Sequence, residues 1–224
     1  MADLPTSVRA RVWDGPVRVV HWALVVLLGF SWWAAENDRM DWHLWSGCAV
    51  LGLVAFRIYW GFVGGKAARF ANFVRGPLTT LRYIRTLPQR TGSGLAGHNP
   101  LGAVSVLAIL AALLVQVATG LFATDIDQLD SGPLSHLVDY DTNRLAAEIH
   151  EFSFHTLQVL AAVHVLAVIF YLVWKRSNLI GPMITGRRSM ASDPGLGRAP
   201  LWRLAFGVAL GAAVMVAASR GFWL

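Results

Sequence analysis

Five apolar runs dominate this chain, at about residues 17–36, 43–64, 101–123, 150–174 and 202–219. Each is long enough to cross the hydrocarbon core of a bilayer, which takes about 20 helical residues. In hydrocarbon every backbone N–H and C=O must find its partner within the protein, so runs of this length are constrained to be helices. The chain is 55% hydrophobic and 14% charged over 224 residues. A water-soluble domain carries nearer a quarter charged residues, roughly. The loops are too short for a separate soluble domain, and no internal repeat or low-complexity tract is visible. The expected fold is an all-α integral membrane protein. A four-helix transmembrane bundle occupies 1–190, and a C-terminal extension, 191–224, carries the fifth span. The first run is preceded by basic residues, as a signal peptide is. However, Trp32, Trp33 and Glu36 close it without a small-x-small cleavage site, so it is read as a retained span.

Charge orients the spans. Fifteen of the nineteen Lys and Arg residues lie in three segments: Arg9, Arg11 and Arg18 before the first span; Lys66, Arg69, Arg75, Arg82, Arg85 and Arg90 between the second and third; and Lys175, Arg176, Arg187, Arg188, Arg198 and Arg203 after the fourth. The other two connections are acidic, with Glu36, Asp38 and Asp41 in one and Asp125, Asp127, Asp130, Asp139, Asp141 and Glu148 in the other. Basic segments stay in the cytoplasm. The expected setting is a bacterial inner membrane, with the N-terminus cytoplasmic and the C-terminus periplasmic. The net charge of +6 then follows from topology and anionic lipid, not from nucleic acid. Residues 77–87 read either as a basic amphipathic helix on the inner surface or as an ordinary basic loop.

Four histidines fall within or at the ends of these runs. His21 lies early in the first, His43 opens the second, and His150 and His164 share the fourth. Fourteen helical residues rotate about 1400°, leaving His150 and His164 within roughly 40° of one face, and rise about 21 Å. With the charge-derived orientation, His43 and His150 share the periplasmic level, and His21 and His164 share the level nearer the cytoplasm. Metal-ligating residues inside spans are costly and usually functional. Haem iron accepts imidazole on both axial faces, and helical bundles hold such groups in their cores. The pattern therefore predicts two haems, each held by two histidines. The rival readings are interhelical hydrogen bonding and a simple metal site. A metal site needs ligands converging at one depth, and these fall at two.

Other residues carry weaker signals. Arg57, inside the second span, and Arg18, one turn before His21, are candidate partners for haem propionates, since guanidinium pairs with carboxylates in bidentate fashion. Arg18 reads equally as a positive-inside anchor. Gly29, Gly47, Gly52, Gly120 and Ala161 leave room for a flat macrocycle or for plain helix packing. His98 and Asn99 stand in GHNPLG just before the third span. Asn99 suits an N-cap and Pro100 the first helical turn, which alone explains the motif. His98 is also placed to relay a proton to a quinone. His155 lies about 140° around the helix from His150 and faces away, and His136 reads as a solvated loop residue. The single cysteine, Cys48, and the absence of CxxCH exclude covalent haem and four-cysteine iron–sulfur ligation within the chain. No phosphate loop, dinucleotide fingerprint or GxSxG-like pattern is present.

The segments VWDGPVRVVHW, HLWSGCAVLGLVAFRIYWGFVG, GHNPLGAVSVLAIL, IHEFSFHTLQVLAAVHVLAV and NLIGPMITGRR resemble the bacterial cytochrome b561 family. That family includes the b-type cytochrome subunits of nickel–iron hydrogenases and is similar to the membrane subunit of respiratory formate dehydrogenases. The resemblance covers about residues 10–190. It implies four haem ligands at His21, His43, His150 and His164, and electron exchange between membrane quinone and a periplasmic partner.

Two function classes follow. One is an electron-transfer cytochrome, acting between quinone and a soluble c-type cytochrome. The other is the membrane anchor and electron outlet of a multisubunit hydrogenase or dehydrogenase. An ion or solute carrier lacks support, because no broken helices or internal acid chains occur. The fifth span carries no ligand candidates and is read as a contact for a partner or a second copy. The quinone site is expected near the inner haem, beside His98 and Asn99, where basic side chains can stabilise negative charge on a reduced quinone.

Overall fold

The computed structural model describes residues 8–90, 97–127 and 129–221. In chain order the elements are strand β1 (Val8–Arg11), helices α1 (Gly15–Glu36), α2 (Met40–Val63), α3 (Phe70–Phe73), α4 (Pro77–Ile84), α5 (Pro100–Gly120), α6 (Tyr140–Val173) and α7 (Ile180–Thr185), strand β2 (Arg187–Met190) and helix α8 (Leu201–Ser219). Among the described residues, α1, α2, α5, α6 and α8 are long and apolar enough to span a membrane. α6 begins at Tyr140 rather than near 150. The Asp139 carboxylate accepts the Thr142 backbone N–H at 2.8 Å and the Thr142 hydroxyl at 3.0 Å. This N-cap starts the helix in polar sequence, where hydropathy carries no signal. The backbone and side-chain hydrogen bonds from Thr142 hold the exposed Asp139 carboxyl below its ordinary pKa.

The chain forms two compact units. One gathers the residues up to Val19, with Tyr59–Leu107 and Ala162–Leu204; the other gathers Val20–Ile58, Ala108–Ala161 and the residues from Ala205. The second unit is built on a core of Val50, Val54, Leu113, Val117 and Leu157, against which Leu24, Leu27, Leu28, Ile58 and Ile109 pack. α1, α2, α5 and α6 all contribute to it. α2 is the most enclosed helix: half of its apolar window is buried, against 11–22% in the other four. The other helices therefore keep broad apolar faces outward, as membrane helices must. α8 docks on α2 through glycine. A Cβ on Gly52 would stand 2.7 Å from the Gly211 carbonyl oxygen, and one on Gly211 2.7 Å from that of Gly52. Close approach of small residues is how helices associate in lipid.

The first unit is tied by polar contacts at helix ends. Asp14 caps α1, accepting the Val17 N–H at 3.1 Å, and its second oxygen accepts the Trp60 indole N–H at 2.9 Å. Arg69 Nε and Arg203 Nη1 donate to the Gly64 and Val63 carbonyls at 2.8 and 3.0 Å. Cations at the carbonyl end of α2 satisfy acceptors that its own helix leaves open. Gly186 ends α7 with φ +79°, a left-handed cap that glycine adopts freely. β1 and β2 pair antiparallel, Arg11 opposite Arg187 and Arg9 opposite Ser189. Residues 77–84 of the basic connection are helical as α4, with Leu78, Leu81 and Ile84 exposed along one side.

Candidate functional site

His43 stands in the first turn of α2, and its partners come from α1. Its Nδ1 lies 3.0 Å from the Ser31 carbonyl oxygen and 3.1 Å from the Ser31 hydroxyl. His150 lies on α6, and its partners come from α5. Its Nδ1 lies 2.9 Å from the Gln116 carbonyl oxygen and its Nε2 3.0 Å from the Gln116 side-chain nitrogen. A carbonyl oxygen only accepts, so Nδ1 carries the proton on both rings, and the electron pair on His150 Nε2 accepts the Gln116 side-chain N–H. Anchoring one ring nitrogen on a backbone carbonyl is the usual second-shell device of a metal-ligating histidine.

The two rings lie nearly perpendicular, with centroids 6.0 Å apart and planes at 82°. Metal–imidazole bonds run about 2.0–2.1 Å for zinc. Two imidazoles bound to one ion would have centroids about 6 Å apart, a separation this pair matches. The surroundings fit a flat group. A Cβ on Gly120 would stand 2.7 Å from His150 Cε1, so the imidazole occupies the volume a side chain there would need. Gly47, one turn after His43, and Gly29 on α1 have nothing within 4 Å of a Cβ position. Gln116 and Ser153 are buried, and the Ser153 hydroxyl donates to Gln116 Oε1 and, at 3.1 Å, to the His150 carbonyl. Ser31, Gln116, Thr119 and Ser153 were not singled out in the sequence. Their signal was there: polar side chains within apolar spans.

The remaining predicted residues are placed as follows. His21 lies on α1, half-buried, its ring edge-on to Trp22 at 5.1 Å. His164 is half-buried on α6. His21 and His164 belong to different compact units. Arg57 is buried in α2, 6% exposed. Arg18 donates to the Met183 carbonyl at 3.4 Å and to the Ile184 carbonyl, serving the end of α7. His98 sits between Trp13 and Phe73, with ring centroids 4.5 and 4.6 Å away. Asn99 Oδ1 accepts the Gly102 N–H at 2.8 Å, capping α5. In the same unit the Tyr83 and Tyr171 hydroxyls meet at 2.7 Å. His155 and His136 are exposed, and His155 Nδ1 lies 3.2 Å from Gln158 Oε1. Trp32, Trp33, Trp42 and Trp45 are exposed around the α1–α2 turn, as in the aromatic belt of a membrane interface.

Among the described residues, five helices long and apolar enough to cross a membrane, with histidines hydrogen-bonded between them, have the form of a multi-pass membrane protein. The sequence profile of the prokaryotic cytochrome b561 family matches residues 12–186, and the chain belongs to that family. It is similar to a probable Ni/Fe-hydrogenase B-type cytochrome subunit of Rhodobacter capsulatus, 23% identical over 226 residues that cover 84% of this chain and 86% of the relative. No solved structure matches. The protein is a membrane b-type cytochrome of electron transport, and its cofactor is haem b.

Proposed function

We propose that the chain holds two haems in a four-helix bundle of α1, α2, α5 and α6, and passes electrons between membrane quinone and a redox partner in the periplasm. The carrying observation is the His43–His150 pair, two imidazoles with centroids 6.0 Å apart whose Nδ1–H groups are both tied to main-chain carbonyls. In this reading His43 and His150 hold one haem through Nε2, and His21 and His164 hold the other. Support for the second pair is the register of α6, which sets His164 on the face of His150 about 21 Å further along. Bound haem supplies a one-electron couple. Ser31 and Gln116 fix the tautomer and plane of the outer rings. Arg57 offers a buried positive charge to a propionate. In this reading the N-terminus is in the cytoplasm of a bacterial inner membrane and the C-terminus in the periplasm, as the arginine distribution favours. The acidic connections then face a soluble c-type cytochrome, and the exposed Trp202 and Phe206 of α8 offer a face to an oxidoreductase subunit or a second copy.

Quinone would bind near the inner haem, where His98 is positioned to exchange a proton. The test is reduction of the purified cytochrome by a short-chain quinol. His98→Ala is expected to slow it about tenfold or more, within the range of general acid–base contributions. Asn99→Ala should slow it too, whereas Asn99→Ser keeps a helix cap and separates capping from quinone contact. Unchanged reduction in these variants, with loss on substituting Glu148 and Glu151, would move the site to the periplasmic side. Arg57→Leu removes a charge that favours the reduced state. Its inner-haem potential is expected to fall by tens of millivolts, where about 59 mV corresponds to tenfold for one electron. An unchanged potential at full haem content would assign Arg57 to another role.

The relative from Rhodobacter capsulatus favours a second reading, in which the chain anchors a hydrogenase or dehydrogenase and is its electron outlet. Co-purification of such subunits with the tagged chain from native membranes would favour it. A chain that purifies alone and still accepts electrons from quinol favours the first.

A further inference from the structure

The first unit contains a half-open cavity of about 550 Å³ that the electron-transfer reading does not use. Arg9, Arg11, Arg18, Arg187 and Arg198 line it. Asp14 is the one carboxylate among the described lining residues, and both its oxygens are engaged, by Trp60 Nε1 and by the Val17 N–H. One carboxylate against five guanidiniums leaves the lining with a net positive charge. Their arrangement is itself costly. Arg11 stands directly opposite Arg187 across the β1–β2 ribbon, and Arg9 shares a face with Arg11. Like charges directly opposite on paired strands destabilise the pairing. The ribbon gathers three arginines where an anion would offset the repulsion.

The rest of the lining fixes the kind of anion. Trp13, Pro16, Trp60, Leu201 and Leu204 supply apolar surface to the same cavity. It opens where α1 and α8 begin and α2 nears its end, at the boundary between apolar spans and polar connections. A ligand here meets guanidinium forks and hydrocarbon together. Arginine suits phosphate through bidentate contacts, and basic pockets at helix ends on the cytoplasmic side suit anionic lipid headgroups. We propose that this cavity is a binding site for the phosphate of an anionic phospholipid, with the acyl chains lying along the apolar side. Apart from Arg18, a candidate propionate partner in the sequence, the lining residues have no part in the haem assignment.

The test is native mass spectrometry of the full chain released from mixed micelles of phosphatidylglycerol and phosphatidylcholine. Phosphatidylglycerol is expected to stay bound and phosphatidylcholine not. Each basic residue near a membrane surface contributes roughly the equivalent of fivefold, so Arg11→Gln with Arg187→Gln should weaken retention about thirtyfold. Arg198→Gln, which leaves the ribbon intact, should weaken it about fivefold. The charge-matched Arg82→Gln, Arg85→Gln double variant should retain lipid as the parent does. Equal retention of both lipids, or parental retention in both cavity variants, would overturn the proposal. So would displacement of phosphatidylglycerol by millimolar inorganic phosphate, which would make the ligand a soluble phosphate.

Discussion

Replacing His150 by alanine is expected to lower haem content from two per chain to one, and replacing His164 should do the same while removing the other haem. The two losses are distinguishable by which redox transition disappears from a potentiometric titration. For His150 the expectation follows from its position, 6.0 Å from His43 and anchored on Gln116. Alanine also leaves the buried Gln116 groups short of a partner, at a cost of about 1–3 kcal/mol. Destabilisation could therefore imitate ligand loss. Adding imidazole to the His150→Ala protein separates the two, because free imidazole can restore an axial ligand but not a misfolded helix. Recovery of the missing transition is expected. Full haem content in either variant would mean that the ligands are paired differently.

Gly120→Val should remove the same haem without replacing a proposed ligand. Gly120 has ordinary helical backbone, outside the left-handed region, so chain conformation does not require glycine there. Helix propensity alone would make a substitution by alanine mildly favourable, by about 1 kcal/mol. Sterics predict the opposite sign. A Cβ would stand 2.7 Å from His150 Cε1 and 3.0 Å from its Nδ1, and the branched methyls of valine would add to this. The ring cannot retreat without stretching its 2.9 Å bond to the Gln116 carbonyl. Losing such a supporting contact typically lowers metal affinity about 10–100-fold. Haem content of Gly120→Val is therefore expected near that of His150→Ala, read by the same titration. Parental content would mean the ring has freedom that the packing denies it.

The sequence made the membrane helices legible because hydrocarbon length imposes one strong constraint on each of them. It also made the His43–His150 juxtaposition legible, through the register of α6 and the alternating charge of the connections. What anchors the pair was harder to read. Ser31 and Gln116 act through main-chain carbonyls, which any residue possesses, so their identity carries little of that information. The start of α6 was missed because Asp139 and Thr142 cap a polar helical turn that hydropathy assigns to a loop. The β1–β2 ribbon was missed for a different reason. Four-residue strands rich in arginine, paired across most of the chain, show no apolar alternation. Arg18 suits a propionate partner or a membrane-face anchor by position, and its bonds to the carbonyl end of α7 carry no signal in the sequence. The docking of α8 depends on Gly52 and Gly211 meeting, and glycines in apolar helices are too common to be paired from sequence.

The central claim is that two haems are each held by two imidazoles, and electron paramagnetic resonance of the oxidised, purified chain tests it most directly. Two low-spin ferric signals integrating to two spins per chain are expected, since strong-field nitrogen ligands on both faces leave no high-spin iron. A single low-spin signal integrating to one spin per chain, or a dominant high-spin signal, would contradict it.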